Sequence, residues 1–240
     1  MSPITDDDVP RVISLVPSVT ETLLAWGVTP VAVTRFCEAP GVLTVGGTKN
    51  PDVEAIRALA PDLVVMDKEE NRADDALALE ASGVTVHATQ VRAVKDVAPT
   101  LAALAAALGL PEIPGPGTDP APAPAPGQRR AFIPIWRRPW MTINGATYGS
   151  SILAAAGIVN IYADAAEPYP TVTLEAAAEL RPDVVLAPSE PYPFAERHRT
   201  QLEGVAPVVF VDGQDLFWWG SRTPGAVARV RQLAADVANR

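Results

Sequence analysis

The residues able to do chemistry in this sequence are mainly basic side chains and aromatic rings, and they sit where the chain turns. Arg35, Phe36, Lys49 and Lys68 follow apolar runs in the first half, and Trp136, Arg137, Arg138, Trp140, Trp218, Trp219 and Arg222 fall on loops of the second. Guanidinium clusters hold carboxylates or phosphates in a two-pronged grip, and indole faces suit a flat macrocycle or an aromatic chelate. The same residues also serve plainer ends: rings that pack between elements, and arginines solvated beside Asp and Glu. Tyr148 and Tyr162 offer phenol oxygens to iron, or pack half-buried at a sheet edge. His87 and His198 read as structural or surface histidines, and Cys37 as a small apolar side chain. Cys37, Glu38 and His87 are the one conceivable metal set of the first half. No Gly-x-Ser-x-Gly, GxGxxG, phosphate-loop or HExxH pattern is present. Gly145-Ala-Thr-Tyr-Gly149 leads into a helix start that suits an anion, but without the lysine of a phosphate loop. Glu69 and Glu70 lack a buried setting, and 67–71 reads as a polar loop at a strand end. The chemistry indicated is binding without catalysis, with no resident metal or cofactor.

Composition narrows the partners. The chain has 240 residues, with 19 Lys and Arg against 28 Asp and Glu, a net charge of −9. That balance speaks against nucleic acid and against an anionic membrane surface. A single cysteine forms no internal disulfide and no cysteine-rich zinc site. No apolar run reaches the ~18 residues of a membrane span, so direct membrane insertion is not expected. The start, Met1 to Asp8, lacks the basic and apolar regions of a secretory signal. As written the chain reads as cytoplasmic; one trimmed of a signal would look the same from residue 9 onward.

The elements that position these residues alternate. Residues 11–16 are a β-branched strand, and Ser18-Val-Thr-Glu21 reads as a capping box opening a helix that stops at Gly27. A short strand at 31–34, a helix from 51 to about 59, an apolar strand at 62–66, a helix at 72–82, a strand at 84–87 and a helix at 94–109 follow. Nearly all-apolar strands belong in parallel sheets covered on both faces, and this alternation is that of an α/β unit. Residues 111–127 carry seven prolines and three glycines among 17 residues. Such a tract favours polyproline II at ~3.1 Å per residue, a reach of roughly 50 Å. The expected organisation is an N-terminal lobe over 1–110, a Pro-rich linker over 111–128 and a C-terminal lobe over 129–240. The second lobe reads as strands at 131–136, 183–187 and 208–211, with helices at 148–156, 173–180, 194–203 and 224–238.

The two halves repeat each other. Glu54-Ala-x-x-x-Leu59-x-Pro61-Asp62-Leu-Val-Val matches Glu175-Ala-x-x-x-Leu180-x-Pro182-Asp183-Val-Val-Leu at an offset of 121, and Gly83-Val84 aligns with Gly204-Val205 at the same offset. Helix, Pro-Asp turn and strand is a common connection, but here the register persists for about 30 residues. Two similar α/β lobes with mainly parallel sheets make a cleft, and ligands of such sheets sit beyond the carboxyl ends of the strands.

With these segments together, the sequence resembles the helical-backbone (class III) solute-binding proteins of ABC importers, the type that carries vitamin B12, haem and ferric siderophores. The residues that carry the resemblance are Arg11-Val-Ile-Ser-Leu-Val-Pro-Ser-Val-Thr-Glu-Thr-Leu, Asn50-Pro-Asp-Val-Glu-Ala-Ile, Ala60-Pro-Asp-Leu-Val-Val, Trp140-Met-Thr-Ile-Asn-Gly, Gly157-Ile-Val-Asn-Ile-Tyr, Tyr169-Pro-Thr-Val and Arg181-Pro-Asp-Val-Val-Leu. Trp136-Arg-Arg-Pro-Trp-Met141 and Ser189-Glu-Pro-Tyr-Pro-Phe194 place it with a signal-less branch. The resemblance implies a periplasmic-binding-protein-like fold, also seen in chelatases, with the ligand in an interlobe cleft. It further implies cleft aromatics near Phe36, Trp136 and Tyr169, a non-aromatic Thr48 at a fourth such place, and one docking glutamate per lobe for an ABC permease. The family joins its lobes by a long helix; here the Pro-rich tract stands in that place. The candidate ligand-binding set is Pro17, Ser18, Arg35, Phe36, Thr48, Lys49, Lys68, Trp136, Arg137, Trp140, Tyr169, Glu190, Trp218, Trp219 and Arg222, with Glu54 and Glu175 as docking residues. The expected ligand is cobalamin, a ferric siderophore or haem. A cytoplasmic sensor or scavenger and a chelatase-like enzyme are the alternatives.

Overall fold

The computed structural model describes residues 10–110 and 128–238. The Pro-rich linker expected over 111–128 therefore lies, but for Gln128, outside the described residues. The described residues divide into two compact units. The first comprises 10–91, 96–110 and 219–221; the second comprises 92–95, 128–218 and 222–238.

The first unit holds β1 (Val12–Ser14), α1 (Pro17–Ala25), β2 (Ala32–Val33), β3 (Leu43–Thr44), the two-residue pair β4 (Gly46–Gly47) and β5 (Asn50–Pro51), α2 (Val53–Ala58), β6 (Leu63–Asp67), α3 (Ala73–Ala81), β7 (Val86–Thr89) and most of α4 (Val94–Ala107). Its main sheet runs β3-β2-β1-β6-β7 and is parallel throughout, with Ile13 opposite both Ala32 and Val64. β6 is buried along its whole length, as its continuous Leu-Val-Val-Met run requires. Ile13, Leu15, Ile56, Val64, Met66 and Leu79 fill the core between sheet and helices.

The second unit holds β8 (Arg129–Phe132), the hairpin β9 (Trp136–Arg137) and β10 (Trp140–Met141), α5 (Tyr148–Ala155), β11 (Ile158–Asn160), α6 (Leu174–Glu179), β12 (Val184–Pro188), α7 (Arg199–Leu202), β13 (Val208–Val211), α8 (Gly213–Phe217) and α9 (Thr223–Ala238). Its sheet, β11-β8-β12-β13, is again all parallel. Phe132, Val185, Phe194, Leu202 and Val208 make its core. Among the described residues no helix is long and apolar enough to cross a membrane.

The sequence repeat is a structural repeat. Asp52 and Thr173, 121 residues apart, cap α2 and α6 by accepting the N–H of Ala55 and Ala176 at 3.0 and 3.1 Å. Each helix then ends on a left-handed residue before proline, Ala60 (φ 45°) and Arg181 (φ 51°), where a right-handed helix cannot continue. The aspartates that follow turn back on the first strand of their unit. Asp62 accepts the N–H of Arg11 at 2.7 Å, and Asp183 that of Arg130 at 2.7 Å. The guanidinium of each arginine reaches the last carbonyl of the helix, Leu59 at 2.8 Å and Leu180 at 3.1 Å.

One expectation fails at the N-terminus. The capping box from Ser18 does not form: Pro17 takes the first helical position, Val16 caps by backbone alone, and Ser18 lies buried inside α1. The helix expected over 194–203 is a 3-10 turn, Glu196–His198, followed by the short α7.

Each Asp clasp joins a helix end to a strand with a charged acceptor. Asp62→Ala and Asp183→Ala should each cost about 1–2 kcal/mol, seen as a lower urea midpoint at unchanged slope. Ala60→Gly, which removes left-handed strain, should be neutral to about 0.5 kcal/mol stabilising in the same assay.

Candidate functional site

Every strand of a parallel sheet delivers the following loop to its carboxyl edge, so the loops after β1, β2, β3 and β6 share one edge of the first unit. They carry Pro17 and Ser18, Arg35 and Phe36, Thr48 and Lys49, and Lys68, the whole candidate set of that half. Asn71 ties them together. This buried side chain accepts the N–H of Asp67 at 2.8 Å and donates to the carbonyls of Leu15 at 3.2 Å and Thr48 at 2.9 Å. Asp67, also buried, accepts from the Glu69 N–H at 2.9 Å and the Thr89 hydroxyl at 2.8 Å. Burial outweighs these bonds and raises its carboxyl above the ordinary range.

The free surface of this edge is mixed in charge. Arg35 is exposed with its guanidinium 4.9 Å from the centre of the Phe36 ring, which is itself 53% exposed. Lys49 donates to the Glu69 carbonyl. Lys68 is exposed beside the exposed Glu69 and Glu70. Cys37 is half-buried and accepts from the Thr20 hydroxyl at 3.2 Å. His87 is half-buried, which lowers its pKa. Among the described residues no three His, Cys, Asp or Glu side chains gather to hold a metal, so Cys37, Glu38 and His87 do not converge.

The carboxyl edge of the second unit is aromatic. Trp136, on β9, is 44% exposed, and Tyr169 is 43% exposed. Trp140, on β10, stacks on Phe194 with centroids 6.0 Å apart and planes 7° from parallel. Behind Trp136 stands Tyr192, edge-on at 5.6 Å, and behind Tyr192 the buried His198 at 5.5 Å. Glu190, joined to Pro191 by a cis peptide, opens the loop that carries Tyr192. An open groove of about 590 Å³ between the hairpin and the start of α6 is lined by Arg137, Arg138, Trp140, Thr173, Glu175 and Gln201, among others. Arg137 donates to Gln201 at 3.1 Å.

Other candidates are held elsewhere. Arg222 turns to Asp215 at 3.4 Å and Gln214 at 3.0 Å and lies over the Trp218 ring at 5.4 Å. Trp219 is only 5% exposed. The Tyr148 hydroxyl is buried against Thr223 at 2.9 Å, its pKa pushed far up by burial, and the buried Tyr162 hydroxyl has no partner. Neither phenol is poised as an iron ligand. The 145–149 loop leads into α5, whose N-terminus is capped by its own Thr147. Glu54 and Glu175 both stand exposed in the first turn of their helices, Glu54 paired with Arg57 at 2.9 Å. In the sequence Asn71 enters only within the polar 67–71 loop, Tyr192 only within the Ser189–Phe194 motif, and His198 only as a structural or surface histidine, of which the structural reading holds.

Comparison with known proteins gives the fold. Residues 12–112 match the periplasmic binding protein family. Over nearly its full length the chain has the fold of the periplasmic binding proteins. Its relatives include the vitamin B12-binding protein of Salmonella typhimurium (strain LT2), 28% identical over 190 residues covering 74% of this chain and 71% of that protein. The vitamin B12-binding protein of Vibrio parahaemolyticus is 26% identical over 215 residues, 83% of this chain and 75% of that one. Among solved structures, the periplasmic vitamin B12 binding protein BtuF of Vibrio cholerae matches with a TM-score of 0.78 at 21% identity, covering 97% of this chain and 99% of that one. The periplasmic heme-binding protein BhuT in complex with two hemes matches at 0.78 and 22% identity, covering 95% and 98%.

Asn71 satisfies three backbone groups at once, two of them buried. Asn71→Ala should therefore cost about 2–3 kcal/mol, and amide exchange at Asp67 should accelerate in the variant relative to β1 amides.

Proposed function

We propose that the chain is the substrate-binding component of an ABC importer, or a relative of one, and that it binds a corrinoid, haem or ferric chelate without reacting with it. The observation that carries this reading is the set of rings at the carboxyl edge of the second sheet, the exposed Trp136 and Tyr169 and the half-buried Trp140. Side chains at the carboxyl edge of a parallel sheet lie where ligands of such sheets bind, and the relatives are named for vitamin B12 and haem. The first unit contributes Phe36 and the cations Arg35, Lys49 and Lys68, which suit the amide or carboxylate fringe of such a ligand. Glu54 and Glu175, repeated in the two units, are the proposed contacts for arginines of a permease.

Titration with cyanocobalamin, haemin and a ferric catecholate, followed by tryptophan quenching and ligand absorbance, tests the reading. One of the three should quench saturably at micromolar concentration or below. Trp136→Ala with Trp140→Ala should weaken that ligand at least about tenfold, roughly 1.4 kcal/mol. Glu54→Gln with Glu175→Gln should leave the affinity unchanged. Failure of all three ligands to bind would refute the assignment.

A further inference from the structure

The back of the aromatic face is a titratable ring. His198 is buried in the 3-10 turn before α7 and packs edge-on against Tyr192 and Phe194, each at 5.5 Å. Its Nδ1 accepts the N–H of Ala195 at 3.1 Å. That nitrogen therefore carries no proton, and the single proton of the neutral ring sits on Nε2, 3.5 Å from the Tyr192 hydroxyl. Tyr192 in turn supports the edge of Trp136.

We infer that His198 is a positioning residue for the proposed ligand face: neutral and locked to Ala195, it fixes Tyr192 and through it Trp136, and protonation releases them. The geometry leaves no other place for the second proton. It must go on Nδ1, where it points at the Ala195 N–H, so an acceptor becomes a donor facing a donor. The charged groups around the ring do not offset this. From β9 comes Arg137, and from the turn itself Arg197; both oppose a second positive charge. The carboxylate of Glu196 is already taken by Arg199. From the loop after β12 comes the Tyr192 hydroxyl, while Glu190 of that loop lies against Gly213 at the start of α8. Burial and the two guanidinium groups hold His198 below the ordinary imidazole range, so the release occurs on acidification below about pH 6.5.

The consequence for the ligand rests on the function proposed above, whereas the consequence for Trp136 does not. Ligand-free protein is titrated from about pH 8 to pH 4.5 by intrinsic fluorescence, with imidazole NMR placing the midpoint on His198. A transition is expected in the wild type and lost in Trp136→Phe. It should also be lost in His198→Asn, which keeps an acceptor for Ala195, and in His198→Phe, which keeps a ring; neither titrates. Cyanocobalamin should bind about tenfold more weakly near pH 5 than near pH 7.5 in the wild type and equally at both in His198→Asn. A Trp136 transition that persists in both His198 variants, or an NMR midpoint unrelated to it, overturns the inference. Absence of cyanocobalamin binding at either pH counts against that ligand, while the fluorescence and NMR titrations still decide the role of His198.

Discussion

Both units depend on one backbone event, the reversal from helix to strand at Leu-x-Pro-Asp. A left-handed residue ahead of proline ends α2 and α6, and the aspartate then grips the N–H of Arg11 or Arg130. The strain of the left-handed residue costs about 1–2 kcal/mol, and a charged acceptor on a backbone N–H offsets an amount of the same size. Without the reversal, β6 and β12 would not enter their sheets beside β1 and β8. Those pairings decide which loops share the carboxyl edge. The clasp lies at the opposite edge from the candidate ligand residues, and it positions them through the strands.

The helices and main strands were legible because the apolar runs change from helical to strand period at Pro and Gly. The repeat was legible because Glu54, Pro61 and Asp62 recur 121 residues on as Glu175, Pro182 and Asp183. The partners of the clasp were not, since Arg11 and Arg130 stand 119 residues apart and fall out of that register. Elements of two residues, such as β9 and β10, carry no period to read. Ser18 misled because a capping-box pattern competes with proline at the first helical position, and proline won. Arg222 and Trp219 look like open-loop residues in sequence, but Asp215 draws in the first and burial removes the second. Nothing local to Asn71 or His198 marks either: their roles lie in carbonyls, N–H groups and rings supplied from elsewhere in the chain.

The same scaffold carries two different edges. In the first unit a buried amide binds three loops into a polar, charge-mixed rim; in the second a hairpin and the loop after β12 build layers of rings. Thr48 and Tyr169 occupy equivalent places of the repeat, and only the second is aromatic. Rings thus dominate the carboxyl edge of the second unit, and charged and polar side chains that of the first.

The layering of the second edge bears on affinity. A lone surface indole must give up its rotamers when a ligand covers it, at about 0.5–1.5 kcal/mol per side chain. Trp140 lies flat on Phe194, and Trp136 meets the edge of Tyr192, which His198 supports from behind. The rings are held before any ligand arrives, so less of the contact energy is lost to ordering. That advantage lasts only while the layer behind them is intact, and in the role proposed for His198 the Ala195 N–H bond to its Nδ1 keeps that layer in place. In that role the one imidazole among these five rings, the member that titrates near neutral pH, sets how firmly the others stand.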